Sequence, residues 1–205
     1  MQNIHEWRRA IRLPESTGWH ALLCAAVAVA LAACGSSTGV DTIANPDEPT
    51  EATLFNFRDG NVRNASAFDI LASSPVRLDS STRWDFVFIM QSDGTALLRP
   101  RATIIEVDRS DAGLLEVIVT FDEIQSAPIT GYNRMRAVPI EVGDVLVMQS
   151  QRDAILEPTR CRRYGKMEIL AIDAAAGTVT FKHLINPNCE NRNLVPGAAV
   201  PIEDQ

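Results

Sequence analysis

Lysine is almost missing from this chain: Lys166 and Lys182 stand against 17 arginines in 205 residues. Histidine is scarce too, with only His5, His20 and His183. Aromatic residues make up 6% of the chain, and the metalloprotease pattern H-E-x-x-H does not occur. So few histidines leave little from which to build a nucleophile–base pair or a metal cluster, and the chain reads as a non-enzyme. Positive charge is not in excess either. The formal net charge is -7, so no nucleic acid partner is expected.

A long apolar run is also lacking. The most apolar stretch, "ALLCAAVAVALAA" from Ala21 to Ala33, has 13 residues. As a helix it would measure about 20 Å, against roughly 30 Å of bilayer hydrocarbon. It is too short to span but suits the apolar region of a signal peptide, with Arg8, Arg9 and Arg12 as the positive region before it. Leu31-Ala32-Ala33 then precedes Cys34, and "LAAC" resembles the bacterial lipobox. That resemblance implies cleavage before Cys34 and lipid attachment at its sulfur, which anchors the protein to a membrane. The alternatives are a plain secreted chain with an incidental cysteine, or a short buried helix. Gly35 follows Cys34, where an Asp would signal inner-membrane retention, so an outer-membrane address in the cell envelope is the expectation. Residues 1–33 are thus read as a lipoprotein signal peptide with a signal helix. The chain from Cys34 on carries 16 basic and 24 acidic residues.

Residues 34–51 are small, polar and acidic, with Pro46 and Pro49 and no apolar period, and read as a flexible tether. Residues 52–205 then form one domain. Its clearest segments are "RWDFVFIMQ" (Arg83–Gln91), "ATIIEVD" (Ala102–Asp108), "LLEVIVTF" (Leu114–Phe121), "DVLVMQSQ" (Asp144–Gln151), "KMEILAID" (Lys166–Asp173) and "TVTFKHLI" (Thr178–Ile185). They are short, rich in β-branched and aromatic residues, and mostly bounded by turn residues. "NASAFDILASS" (Asn64–Ser74) is the best candidate for a helical turn. The fold class predicted is all-β, an antiparallel β-sandwich or barrel, with the sandwich preferred.

With Cys24 in the leader and Cys34 assigned to lipid, Cys161 and Cys189 remain. In an exported chain that even remainder argues for a disulfide. A hairpin register in which paired numbers sum to 350 supports it. Ile169 then faces Phe181, Ala171 faces Val179, Glu168 faces Lys182, and Cys161 falls opposite Cys189. A two-cysteine metal site is the alternative, but it needs further ligands and His183 is the sole histidine left.

Several stretches, in order, resemble the HmuY-like haem-binding lipoproteins. They are "TLFNFRDGNV" (Thr53–Val62), "STRWDFVF" (Ser81–Phe88), "VTFDEIQSAPITGY" (Val119–Tyr132), and finally "DVLVMQSQRD" with "YGKMEILAIDAAAGTVTFKHL". The resemblance implies a β-sandwich on a surface lipoprotein and makes haem the family-based cofactor. In that family the haem ligands are His or Met between the Gly-Tyr segment and the last strands. Here that interval, "NRMRAVPIEVG", has no His and a single Met, Met135.

Four further features are singled out. His183 shares the strand phase of Val179 and Phe181 and is expected to point inward, opposite Met167. Cross-strand neighbours sit about 5 Å apart on one face, so no haem plane fits between that pair as axial ligands. Trp84, Phe86, Phe88 and Met90 alternate onto one strand face, as a core or a ligand platform. Asp85, on the opposite face, is expected to bond neighbouring backbone. "RCRRYGK" gathers Arg160, Arg162, Arg163 and Lys166 into a basic surface stretch suited to a phosphate, a propionate or lipid headgroups. The functions that follow are binding of a small or hydrophobic ligand, haem first, or a structural or protein-interaction role at the envelope.

Overall fold

The computed structural model of the protein describes residues 43–105, 110–152 and 161–199. The expected signal helix, the lipidation site Cys34 and Arg160 lie outside the described residues. Among the described residues, ten strands form two antiparallel five-stranded sheets. They are β1 (Thr50–Phe55), β2 (Ala67–Asp69), β3 (Ser74–Val76), β4 (Phe86–Met90), β5 (Ala96–Pro100), β6 (Gly113–Val117), β7 (Val138–Pro139), β8 (Val145–Gln149), β9 (Tyr164–Asp173) and β10 (Thr178–Ile185). One sheet runs β1-β10-β9-β8-β6 and the other β3-β2-β4-β5-β7. The fold is the all-β sandwich that the strand pattern predicts.

Strand alternation fills the space between the sheets. Leu54, Phe68, Phe86, Phe88, Leu98, Leu114, Leu146, Met148, Met167, Ile169, Val179 and Phe181 all face inward and are buried. The outer faces are apolar as well, which is why β4 and β8 read as unbroken hydrophobic runs. Phe121, Ile124, Ala127 and Leu194 cover Val145, Val147, Tyr164 and Leu184 on the first sheet. Trp84, Ala67, Val87, Ile89 and Leu97 form the outer cluster of the second. Trp84 therefore does not share a face with Phe86 and Phe88: β4 begins only at Phe86, and the residues before it bend out of the strand's phase.

The structure corrects other expectations. The "ATIIEVD" segment is not a strand where it is described. Arg101–Thr103 is a 3₁₀ turn, closed by Thr103 Oγ1 donating to the Pro100 carbonyl at 2.7 Å. "LLEVIVTF" leaves the sheet after Val117, and Thr120 and Glu123 close a turn that brings Phe121 over the sheet. "NASAFDILASS" holds β2 rather than a helical turn, with Ala67 and Phe68 paired to Val87 and Phe86. The tether does not extend to residue 51. Thr50 and Glu51 open β1, and buried Asn45 donates to the carbonyls of Asn193 (3.0 Å) and Val195 (2.8 Å).

The β9–β10 register is half right. Ile169 faces Phe181 and Glu168 faces Lys182, as expected, but a bulge between Thr180 and Phe181 shifts the rest. Val179 faces Ile172 and not Ala171, which is opposite Thr180. The extra residue turns Ile172 toward the core and leaves the smaller Ala171 exposed. On the other side of the bulge the sum-350 register holds to Ile185 opposite Gly165, and beyond the strands Cys161 and Cys189 are joined with Cα atoms 4.9 Å apart. Gly177 closes the hairpin at φ +63°, a backbone conformation that favours glycine.

Candidate functional site

The described part of the basic stretch, 161–166, does not form a surface patch. Its members go to different places. Lys166 is buried on the outer face of its sheet, where Nζ donates to the carbonyls of Phe121 and Ile124, both at 3.0 Å. It also lies 4.6 Å from the centre of the Phe121 ring. Burial lowers the pKa of this amine, Asp122 raises it and Lys182 lowers it further. Arg163 donates to the Leu71 carbonyl. Arg162 turns toward Asp111, Nη2 to Oδ2 at 3.0 Å.

That contact is the centre of a cluster the sequence did not announce. Pairing of Gly113 with Gln149, and of Gln149 with Tyr164, gathers the start of β6, the end of β8 and the start of β9 at one end of the sheet. Asp111 precedes β6, Arg152 follows β8, and Arg162 precedes β9. The bridge between Leu114 and Asn133 brings Arg134 to the same place. Gly113 permits this approach: a Cβ there would stand 2.8 Å from Tyr132 Cβ and 3.0 Å from Arg134 Cγ. Arg134 and Arg152 lie 3.8 and 3.6 Å from Asp111. Three guanidinium groups thus share one carboxylate. The Arg162 side chain is 9% exposed, whereas Arg134, Arg152 and Asp111 are 40%, 45% and 33% exposed. Gln149 anchors the floor, donating from Nε2 to the Asp111 carbonyl at 2.6 Å. Beside it, Gly131 to Arg136 line an open concavity of about 530 Å³.

A second polar centre is buried at the start of β4. Asp85 accepts from the backbone N–H of Ile70 and of Gln151, each at 2.7 Å, so its expected backbone role is observed. Burial pushes its carboxyl up to about 7, opposed by those two N–H groups, with Asp69 adding repulsion. Asp69 is buried too and accepts from Arg83 Nε at 2.8 Å. Asp85 ties the residue after β2 to the segment after β8.

The haem candidates are also interior. His183 is buried between Phe68 and Phe181, with Nε2 3.2 Å from Ser73 Oγ and Nδ1 without a partner. Burial lowers its pKa and the Ser73 bond raises it. Met167 is fully buried opposite it. Phe86 and Phe88 are core, Met90 packs against that core, and none of them forms a platform. Met135 is the exception, exposed on the concavity between Arg134 and Arg136. Among the described residues, no three His, Cys, Asp or Glu side chains converge as a metal site requires.

No family model, no curated protein and no solved structure matches the chain. The cluster around Asp111 was not legible in the sequence because its members are scattered, Asp111 and Arg162 lying 51 residues apart. Only the excess of arginine over lysine hinted at it, since arginine is the residue of forked, planar anion contacts.

Proposed function

We propose that the protein is an exported lipoprotein of the cell envelope, anchored through Cys34, whose β-sandwich is a non-enzymatic interaction module. The observation that carries this reading is where the apolar side chains go. The space between the sheets is taken by the chain's own phenylalanines and aliphatic residues, and both outer faces are covered by its own loops. A hydrophobic ligand such as haem would have to displace them, and His183 and Met167 are committed to the core. Recognition then falls to the surface, where the arginine cluster beside the 131–136 concavity is the most distinctive chemistry.

Two measurements on the full chain test this. Cells fed labelled palmitate should incorporate it into the protein, and Cys34→Ser should abolish the label. Titration with haemin should give no saturable Soret shift. Unlabelled wild-type protein would remove the anchor, and a saturable shift would replace the interaction module with a haem carrier.

A further inference from the structure

We infer that Arg134, Arg152 and Arg162, set around Asp111, form a binding site for a phosphate-type dianion. This names the ligand chemistry of the interaction module proposed above and rests on that reading for its biological setting.

Charge is the first argument. Among the described residues, three guanidinium groups against one carboxylate leave two positive charges in a small volume of a chain whose formal net charge is -7. Like charges held this close repel, and a dianion removes that cost. A phosphomonoester carries about -1.5 to -2 at neutral pH, which matches the excess. Geometry is the second. Asp111 bonds Arg162 at 3.0 Å, whereas Arg134 and Arg152 stand 3.8 and 3.6 Å away, beyond hydrogen-bond distance. Asp111 therefore orients the buried guanidinium and leaves the outer two uncommitted to it. Those two are also the half-exposed ones, and their planar forks suit the oxygens of a phosphate.

Unmet hydrogen-bonding capacity is the third argument. Nε of Arg134 and Nε of Arg162 are buried without a partner. A buried donor without an acceptor is costly, so Asp111 alone does not satisfy the cluster. Finally, the site is built and not a chance meeting of surface chains. Gly113 makes room for Arg134, and Gln149 holds the Asp111 backbone. The Cys161–Cys189 bond adjoins Arg162. The open concavity at Gly131–Arg136 gives an incoming group access from solvent.

The test uses the purified full-length protein and calorimetric titration with inorganic phosphate, with acetate as the comparison anion. Expected are saturable, salt-sensitive binding of phosphate, tighter than that of acetate, and at least about tenfold weakening in Arg134→Gln/Arg152→Gln, as loss of a charge-assisted hydrogen bond gives. Arg63→Gln, exposed in the loop between β1 and β2 and outside both the Asp111 cluster and the concavity, should bind as wild type does. Vesicles with and without phosphatidic acid separate the sources of the group. Binding to vesicles that needs both phosphatidic acid and the two arginines marks a lipid headgroup; binding of free phosphate alone marks a soluble ligand. No saturable binding of phosphate or of the vesicles by wild-type protein would overturn the inference, as would equal affinity for acetate or equal weakening by Arg63→Gln. Such a failure leaves palmitate labelling at Cys34 and the haemin result untouched, so the two readings fail separately.

Discussion

Asp85 shows how one buried residue couples the fold to pH. Its carboxylate holds Ile70 and Gln151, two segments 81 residues apart in the chain, yet burial makes the charged form costly. The folded protein keeps this proton up to about pH 7, whereas the unfolded chain releases it near 3.8. Between those values the native state binds more protons than the unfolded one, so stability from this group falls as pH rises and levels off above about 7. Urea melts of the full chain between pH 4 and 8 should show this loss. Asp85→Asn should flatten the pH 4–7 slope relative to wild type, while lowering stability throughout by about 1–3 kcal/mol, since the two backbone N–H groups approach different oxygens of Asp85 and the amide nitrogen that replaces one of them cannot accept. An unchanged slope in the variant would show that Asp85 titrates as an ordinary carboxyl.

At the scale of elements, the β9–β10 hairpin carries most of the construction. Its bulge sets which residues face the core on the turn side, and its regular register delivers Cys161 to Cys189 at the far end. Gly165 sits in the middle of this arrangement for a packing reason. A Cβ there would stand 2.7 Å from Ile185 Cγ1 and 3.0 Å from the Leu184 carbonyl oxygen. The second contact is backbone of the paired strand and cannot move aside like a side-chain tip. Gly165→Ala should therefore destabilise the protein by about 1–3 kcal/mol, the usual cost of overpacking, as read from a urea melt. A gain in stability would mean that the two strands separate more easily than their pairing suggests.

For the whole molecule, the arrangement is a packed interior flanked by two outer apolar layers, each covered by loops rather than helices. Loops bring polar backbone with them, and buried Lys166 answers that cost at Phe121 and Ile124 by donating to both carbonyls. The disulfide closes the end of the sheet at which the arginine cluster stands. It spans 28 positions in sequence, and the loop-closure model gives about 3–4 kcal/mol of stabilisation for that length. Chemical denaturation with and without reductant should differ by that amount, and Cys161→Ser/Cys189→Ser should match the reduced protein. If reduction left the midpoint unchanged, residual structure in the unfolded chain would already hold the two cysteines together.

The sequence by itself determined the fold class, because strand alternation and turn residues are local signals, and β10 follows "TVTFKHLI" from end to end. Charge and apolar pairing across one hairpin were enough to place Cys161 opposite Cys189, since a register propagates along paired strands. The short strands β2, β3 and β7 were not read, because two or three paired residues carry no period of their own, and the five-residue β5 was missed as well. Only the tertiary structure decided where charge goes. In the sequence Arg162, Arg163 and Lys166 look like one basic patch; in the fold, they go to separate partners, Asp111, the Leu71 carbonyl and the carbonyls of Phe121 and Ile124. One of the three, Arg162, instead meets Arg134, Arg152 and Asp111, which strand pairing alone brings together. A patch is a property of neighbours in space, and in an antiparallel sheet those neighbours are set by register across strands far apart in the chain.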